Sequence, residues 1–241
     1  MIQGTEKTTL FLGNFGSGKS EVAVNFAFHV ADSNPGLGVS LADLDLVNPY
    51  FRSREARELL AEAGINLVLP DARYLDADLP ILVPGVRALL MAGNGYAVLD
   101  VGGDDVGARV LGALTDALVP GSYRALQVVN ANRPFTRTPQ GVLKIASEIE
   151  YTSFIKFTGY VCNTHLMEQT TMDDILAGVK LVREVQEVSG LPLEFVTAPE
   201  AMVPELRQHL SEEILPLKRF LTPPWKQPDI RGPMGKVIRG L

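Results

Sequence analysis

Residues 13 to 20 read Gly-Asn-Phe-Gly-Ser-Gly-Lys-Ser, and this octet does more than any other stretch to limit what the chain can fold into. It stands between a short apolar, β-leaning run, "TTLFLG" (8–13), and a helical pattern through Val22, Val24, Phe26, Ala27 and Val30. The spacing of Gly13, four residues, then Gly18-Lys19-Ser20 fits a phosphate-binding loop set between a strand and a helix. A phosphate needs several N–H donors converging on one point, and Gly13, Gly16 and Gly18 give the backbone the freedom to aim them. The helix beginning near Lys19 adds its positive end, Lys19 a point charge for the outer phosphates, and Ser20 a hydroxyl able to bind Mg²⁺.

The alternation continues beyond the loop. Strands are expected at "GVSLAD" (38–43), "INLVLP" (65–70), "YAVLDVGG" (96–103), "RALQVVNA" (124–131), "FTGYVCNT" (157–164) and "LEFVTAP" (193–199). Helices are expected between them at 53–64, 83–95, 106–118, around 139–150 and at 172–190. This order predicts an α/β fold of three layers, a mostly parallel central sheet with helices on both faces. No linker and no fixed-period repeat interrupts it, so residues 1–221 read as one nucleotide-binding domain. The stretch 222–241, rich in Pro and Gly, reads as an extended arm, with Trp225 and Ile230 as its natural anchors.

At 241 residues, 46% hydrophobic and 21% charged, the chain can bury a full core. A net charge of -6 argues against non-specific DNA binding. One cysteine, Cys162, excludes an intrachain disulfide framework and leaves no Cys-x-x-Cys pair for zinc or an iron–sulfur cluster, which suits a reducing cytoplasm. The N-terminal stretch lacks a basic segment ahead of an apolar run of signal length, and no window has the apolar length of a membrane span, so a soluble, unexported protein is expected. The C-terminal "GKVIRGL" is too short for useful amphipathic area, which argues against membrane binding.

Three further carboxylates fall where phosphate chemistry needs them. Asp100 closes the run "YAVLD" ahead of "VGGDD", where it could support a metal or cap the next helix. Asp43 and Asp45 close the second strand, and alternation puts them on one face at the carboxyl edge where open α/β sheets bind ligands. One of them could orient an attacking water, or both could be turn carboxylates ahead of Asn48-Pro49.

With these residues in view the chain resembles the MinD/ParA/CobQ/CobB-like branch of the SIMIBI class of P-loop NTPases over most of residues 8 to 200. "GNFGSGKSEVAVNFA" matches the family's first motif, "LADLDLVNP" its Asp-x-Asp switch segment, "AVLDVGG" its metal-side strand and "GYVCNTH" the strand whose terminal Asn reads the base. The resemblance implies that Gly13, Asn14, Phe15, Gly16, Ser17, Gly18, Lys19, Ser20 and Glu21 surround the phosphates. It implies that Ser20, Asp43 and Asp100 serve Mg²⁺, that Lys19, Asp45 and Asp100 carry catalysis, and that Asn163, Pro199 and Glu200 hold the base of ATP or ADP. It also implies a homodimer. The family's signature lysine, which reaches the nucleotide across that dimer, falls at Asn14 here; a neutral amide cannot offset phosphate charge, and Arg52, Arg54 or another subunit's cation would have to substitute.

Guanine selection by Asn-Lys-x-Asp needs a carboxylate where this chain has Leu166, so ATP is expected over GTP. A subunit-bridging iron–sulfur cluster needs two cysteines per chain, and Cys162 lies inside a strand. His29, His165 and His209 are scattered, and only His165, beside Asn163, falls near the expected site. "NPYFRSREAR" (48–57) places aromatics beside arginines, as contact surfaces do or as a helix entry would. The leading expectation is an Mg²⁺-dependent ATPase that presents segments 45–57 and 100–107 to an unidentified protein partner as the nucleotide changes. The alternatives are an ATP-dependent small-molecule kinase or ligase using "PDARYLDADLPI" (70–81), and a nucleotide sensor that does not hydrolyse.

Overall fold

A computed structural model describes Ile2 and residues 6–45, 56–69, 84–103 and 105–221; for 105 and 106 it describes the backbone alone. Residues 46–55, 70–83, 104 and 222–241, and with them the expectations for 46–55, 70–81 and the C-terminal arm, lie outside the described residues.

Eight strands form one sheet in which every pairing is parallel, as expected. They are β1 (Thr8–Leu12), β2 (Val39–Leu44), β3 (Asn66–Val68), β4 (Tyr96–Val101), β5 (Arg124–Val129), β6 (Gly159–Cys162), β7 (Leu193–Pro199) and β8 (Ile214–Leu217). The helices are α1 (Lys19–Ser33), α2 (Arg57–Glu62), α3 (Pro84–Ala92), α4 (Asp105–Gly112), α5 (Pro139–Ser153), α6 (Met172–Ser189) and α7 (Val203–Leu206). The sheet order β3-β2-β4-β1-β5-β6-β7-β8 puts β1 at the point where the chain changes direction across the sheet. In open α/β sheets the ligand crevice lies at the carboxyl ends of the strands at such a point.

Both faces of the sheet are covered, which is why its strands are near-continuous apolar runs. On β1, Phe11 packs with Val22, Phe26 and Val30 of α1, while Leu10 and Leu12 join Leu111 and Leu114 on the other face. Phe26 meets Phe11 edge-on at 5.1 Å and stacks on Phe195 at 6.0 Å, pinning the first helix over the sheet centre.

The observed elements differ from expectation in three instructive places. The helix expected over 106–118 stops at Gly112: Leu114 N–H bonds Leu111 O at 2.8 Å and Thr115 Oγ1 donates to Gly112 O at 3.0 Å, so tight turns replace the helical ladder. Strand β5 ends at Val129 and not at Ala131, because the Asn130 side chain reaches across to His165, accepting from its N–H at 3.3 Å and donating to its carbonyl at 3.2 Å. Strand β8 was not expected at all. It has four residues, contains Pro216 and pairs only with β7, as a proline-bearing edge strand does.

Candidate functional site

The loop after β1 turns into α1 through Gly18, which has φ 82 and caps the helix. A side chain at Gly18 would be strained, and its Cβ would collide with the Asn163 amide and come within 3.0 Å of His165 Nε2. Lys19 and Ser20, the first residues of α1, are 4% and 5% exposed. Phe15 lies at the loop tip and is 77% exposed, whereas Asn14 is buried, with its Oδ1 lacking a hydrogen-bond partner, as does Ser17 Oγ.

The acidic side of the site follows from strand order. Because β2 and β4 are parallel neighbours in register, Asp43 lies beside Asp100. Asp45, one residue past the end of β2, donates its backbone N–H to Asp43 Oδ1 at 3.2 Å and places its Oδ2 3.3 Å from Lys19 Nζ. Both oxygens of Asp100 are buried without a hydrogen-bond partner. Burial first, and the Asp43 carboxylate second, push the Asp100 carboxyl up to about 7, against the pull of Lys19. Unpartnered, buried carboxylate oxygens next to the Ser20 hydroxyl fit a hard divalent cation. Among the described residues no three His, Cys, Asp or Glu side chains form a metal cluster, so an ion here would draw its remaining ligands from phosphate and water.

On the other side of the loop lies a cavity of about 600 Å³, bounded by the loop itself and by the segments following β6, β7 and β8. Asn163 lines it, but both ends of its amide are already used: Nδ2 donates to Ser17 O at 2.7 Å and Oδ1 accepts from Thr197 Oγ1 at 2.6 Å. Pro199 lines the cavity too, while Glu200 is exposed on the turn beyond it. Glu21 faces the chain's own backbone, its carboxylate accepting from Phe220 N at 2.7 Å and Leu221 N at 3.3 Å. One turn on, Asn25 donates to Lys218 O at 2.9 Å and accepts from Lys218 N at 2.8 Å. These two side chains fasten 218–221 along α1 as a wall of the cavity.

Sequence reasoning had not singled out Arg133, Glu168 or Arg219, which also line the cavity. Arg219 Nη1 bonds Glu168 Oε1 at 2.5 Å across 51 residues, and no local pattern marks either residue. His165 sits against Gly18; burial, with Arg133 and Arg219 nearby, lowers its imidazole to about 4, so it is neutral at ordinary pH. Its Nδ1 faces the Met167 N–H at 3.4 Å, which assigns the proton to Nε2.

Sheet order, helix layers and the glycine-rich loop at the switch point define a three-layer α/β fold of the P-loop NTPase type. No protein-family model matches the chain, and neither does any curated protein. Solved structures share the fold. Cell division protein FtsY from Thermotoga maritima matches with a TM-score of 0.58 at 18% identity, over 83% of this chain and 65% of that one. The signal recognition particle 54 kDa protein from Aeropyrum pernix K1, in complex with GDP, matches with a TM-score of 0.55 at 20% identity, over 80% of this chain and 41% of that one. FlhF complexed with GTP/Mg²⁺ matches with a TM-score of 0.52 at 13% identity, over 81% and 66%. The chain therefore spans less than two thirds of each of these structures, and at such identities the likeness is one of fold.

Proposed function

We propose that the chain is an Mg²⁺-dependent nucleoside triphosphatase of the SIMIBI kind, working as a nucleotide-dependent switch on a partner protein. The observation that carries this reading is the buried pair Lys19–Asp45 at 3.3 Å, beside the unpartnered Asp100 carboxylate. The loop amides and Lys19 hold the phosphates, and Lys19 exchanges Asp45 for phosphate oxygen as they arrive. Ser20 and Asp100 would hold Mg²⁺, with Asp43 in support; when bound, the ion supplies charge neutralisation on the phosphate oxygens. Asp45, released from Lys19, orients a water and at the same time moves the start of segment 45–57. Gly103 abuts Gly13 and Asn14 so closely that a Cβ there would strike Gly13 O, which ties segment 100–107 to the same loop.

Guanine nucleotides occupy two of the similar structures, as GDP and as GTP/Mg²⁺. We assign adenine here because Leu166, between the cavity-lining His165 and Met167, carries no acceptor for guanine, and the carboxylates lining the cavity are engaged, Glu21 by backbone amides and Glu168 by Arg219. The test is calorimetry with Mg–ATP, Mg–GTP and Mg–ADP, paired with light scattering, on wild type and Lys19→Ala. ATP binding that Lys19→Ala abolishes, with a mass that doubles only in ATP, supports a switch acting through a homodimer. Wild type that binds no nucleotide overturns it.

A further inference from the structure

The phosphate loop has no cation at position 14, and the structure offers one elsewhere. Arg133 lies on the loop after β5, and its Nε donates to Gly16 O at 2.8 Å, 117 residues away in sequence. Its guanidinium packs so tightly over the loop that a Cβ on Gly16 would come within 2.9 Å of Nε. The side chain is half-buried and lines the same cavity as Gly18, Lys19 and Ser20. Among the described residues its two Nη groups make no hydrogen bond or ion pair.

The segment that presents it is fixed in advance. Asn130 Oδ1 accepts from Asn132 N at 3.0 Å, and Asn130 O accepts from both Arg133 N at 3.1 Å and Thr136 Oγ1 at 2.6 Å. Pro134 follows directly. A guanidinium held by one nitrogen, with its fork left over at the rim of an anion-binding loop, is arranged to receive an anion at little cost in side-chain entropy. Its charge also reaches His165, whose imidazole it helps keep neutral.

Building on the nucleotide-binding reading, we propose that Arg133 is a phosphate-binding residue supplied by the same chain. It contacts the nucleoside-proximal part of the phosphate chain, which di- and triphosphates share, and supplies in cis the charge that Asn14 lacks. Lys19 and the metal side serve the outer phosphates; Arg133 closes the loop from the cavity side, its tether to Gly16 O coupling the contact to the loop's own geometry.

The experiment is calorimetry of the full chain with Mg–ATP and with Mg–ADP across a range of salt, on wild type, Arg133→Ala and Arg133→Lys. We expect Arg133→Ala to weaken both ligands about tenfold and to flatten the salt dependence, with Arg133→Lys recovering part of the loss. Unchanged affinity in Arg133→Ala overturns the proposal, as does a loss confined to Mg–ATP, which would place the contact on the outer phosphate. A loss with undiminished salt dependence that Arg133→Lys leaves unrecovered also overturns it, making Arg133 a prop for the loop. If wild type binds neither ligand, the nucleotide reading itself falls and takes this one with it.

Discussion

Lys19 Nζ and Asp45 Oδ2 are 3.3 Å apart, with side chains 5% and 3% exposed, so the charge proposed to serve phosphate is already paired within the protein. A ligand must break that pair to use Lys19, and the pair therefore opposes binding. Asp45→Asn should lower the stability of the ligand-free protein by about 1–3 kcal/mol, less than for an isolated buried pair because Asp43 and Asp100 remain near the ammonium. The same variant should bind Mg–ATP more tightly and turn it over more slowly, which thermal denaturation, calorimetry and a phosphate-release assay would read separately.

Gly103 packs directly on the backbone of Gly13 and Asn14. Gly103→Ala inserts a methyl where there is no room, and one of the two loops has to shift. The expected outcome is a loss of about 1–3 kcal/mol in stability and a marked loss of Mg–ATP affinity, with the far cavity wall unchanged. Hydrogen exchange should show the disturbance at 12–20 and spare 214–221. Wild-type affinity in this variant would remove the proposed link between segment 100–107 and the phosphates.

Position 166 tests the base. ATP should bind more tightly than GTP to wild type, and Leu166→Asp should shift the ratio towards GTP by supplying an acceptor for the guanine N1 and N2 donors. Competition of the two nucleotides for one site gives the ratio directly. A wild type that prefers GTP would transfer the base-reading role to Glu168, whose carboxylate Arg219 holds at the cavity rim.

Stability should fall as pH rises from about 5 to 8. Burial pushes the Glu21 carboxyl up to about 7, as burial and then Asp43 do for Asp100, so the folded protein keeps protons that the unfolded chain gives up near 4. That stabilisation is fully present only below about 4 and is lost as pH rises from there through 7. His165 works in the opposite sense: the unfolded imidazole protonates near 6.5, while the folded one stays neutral down to about 4, so its own contribution falls as pH drops below 6.5. Below pH 6.5 the two carboxyls outweigh the one imidazole, so the midpoint of thermal unfolding should fall throughout the rise from about pH 5, by about 2–4 °C between pH 6.5 and 8. Glu21→Gln should flatten that fall.

The loop 13–20 was legible because its chemistry is local: glycines, lysine and serine act within a single turn between strand and helix. Asp43 and Asp100 were placed at the carboxyl edge because each falls late in an apolar run, yet their adjacency depends on β2 lying next to β4, which is a property of sheet order. Asn163 was singled out by the family resemblance alone, and its engagement with Ser17 and Thr197 depends on contacts over 146 and 34 residues. Arg133 left no local signal, since an arginine before a proline in a loop looks like any solvated cation. β8 escaped notice because four residues with a proline carry too little periodicity to stand out from a turn.

The seam between α1 and 218–221 joins parts of the chain made far apart in time. Glu21 and Leu221, hydrogen-bonded at 3.3 Å, are 200 residues apart, so at about 5–20 residues per second the ribosome finishes the second about 10–40 s after the first. Throughout that interval a nascent chain can own its phosphate cradle while the far wall of the cavity does not yet exist. On the proposed reading, tight nucleotide binding is acquired only once residue 221 has emerged and folded back on the first helix.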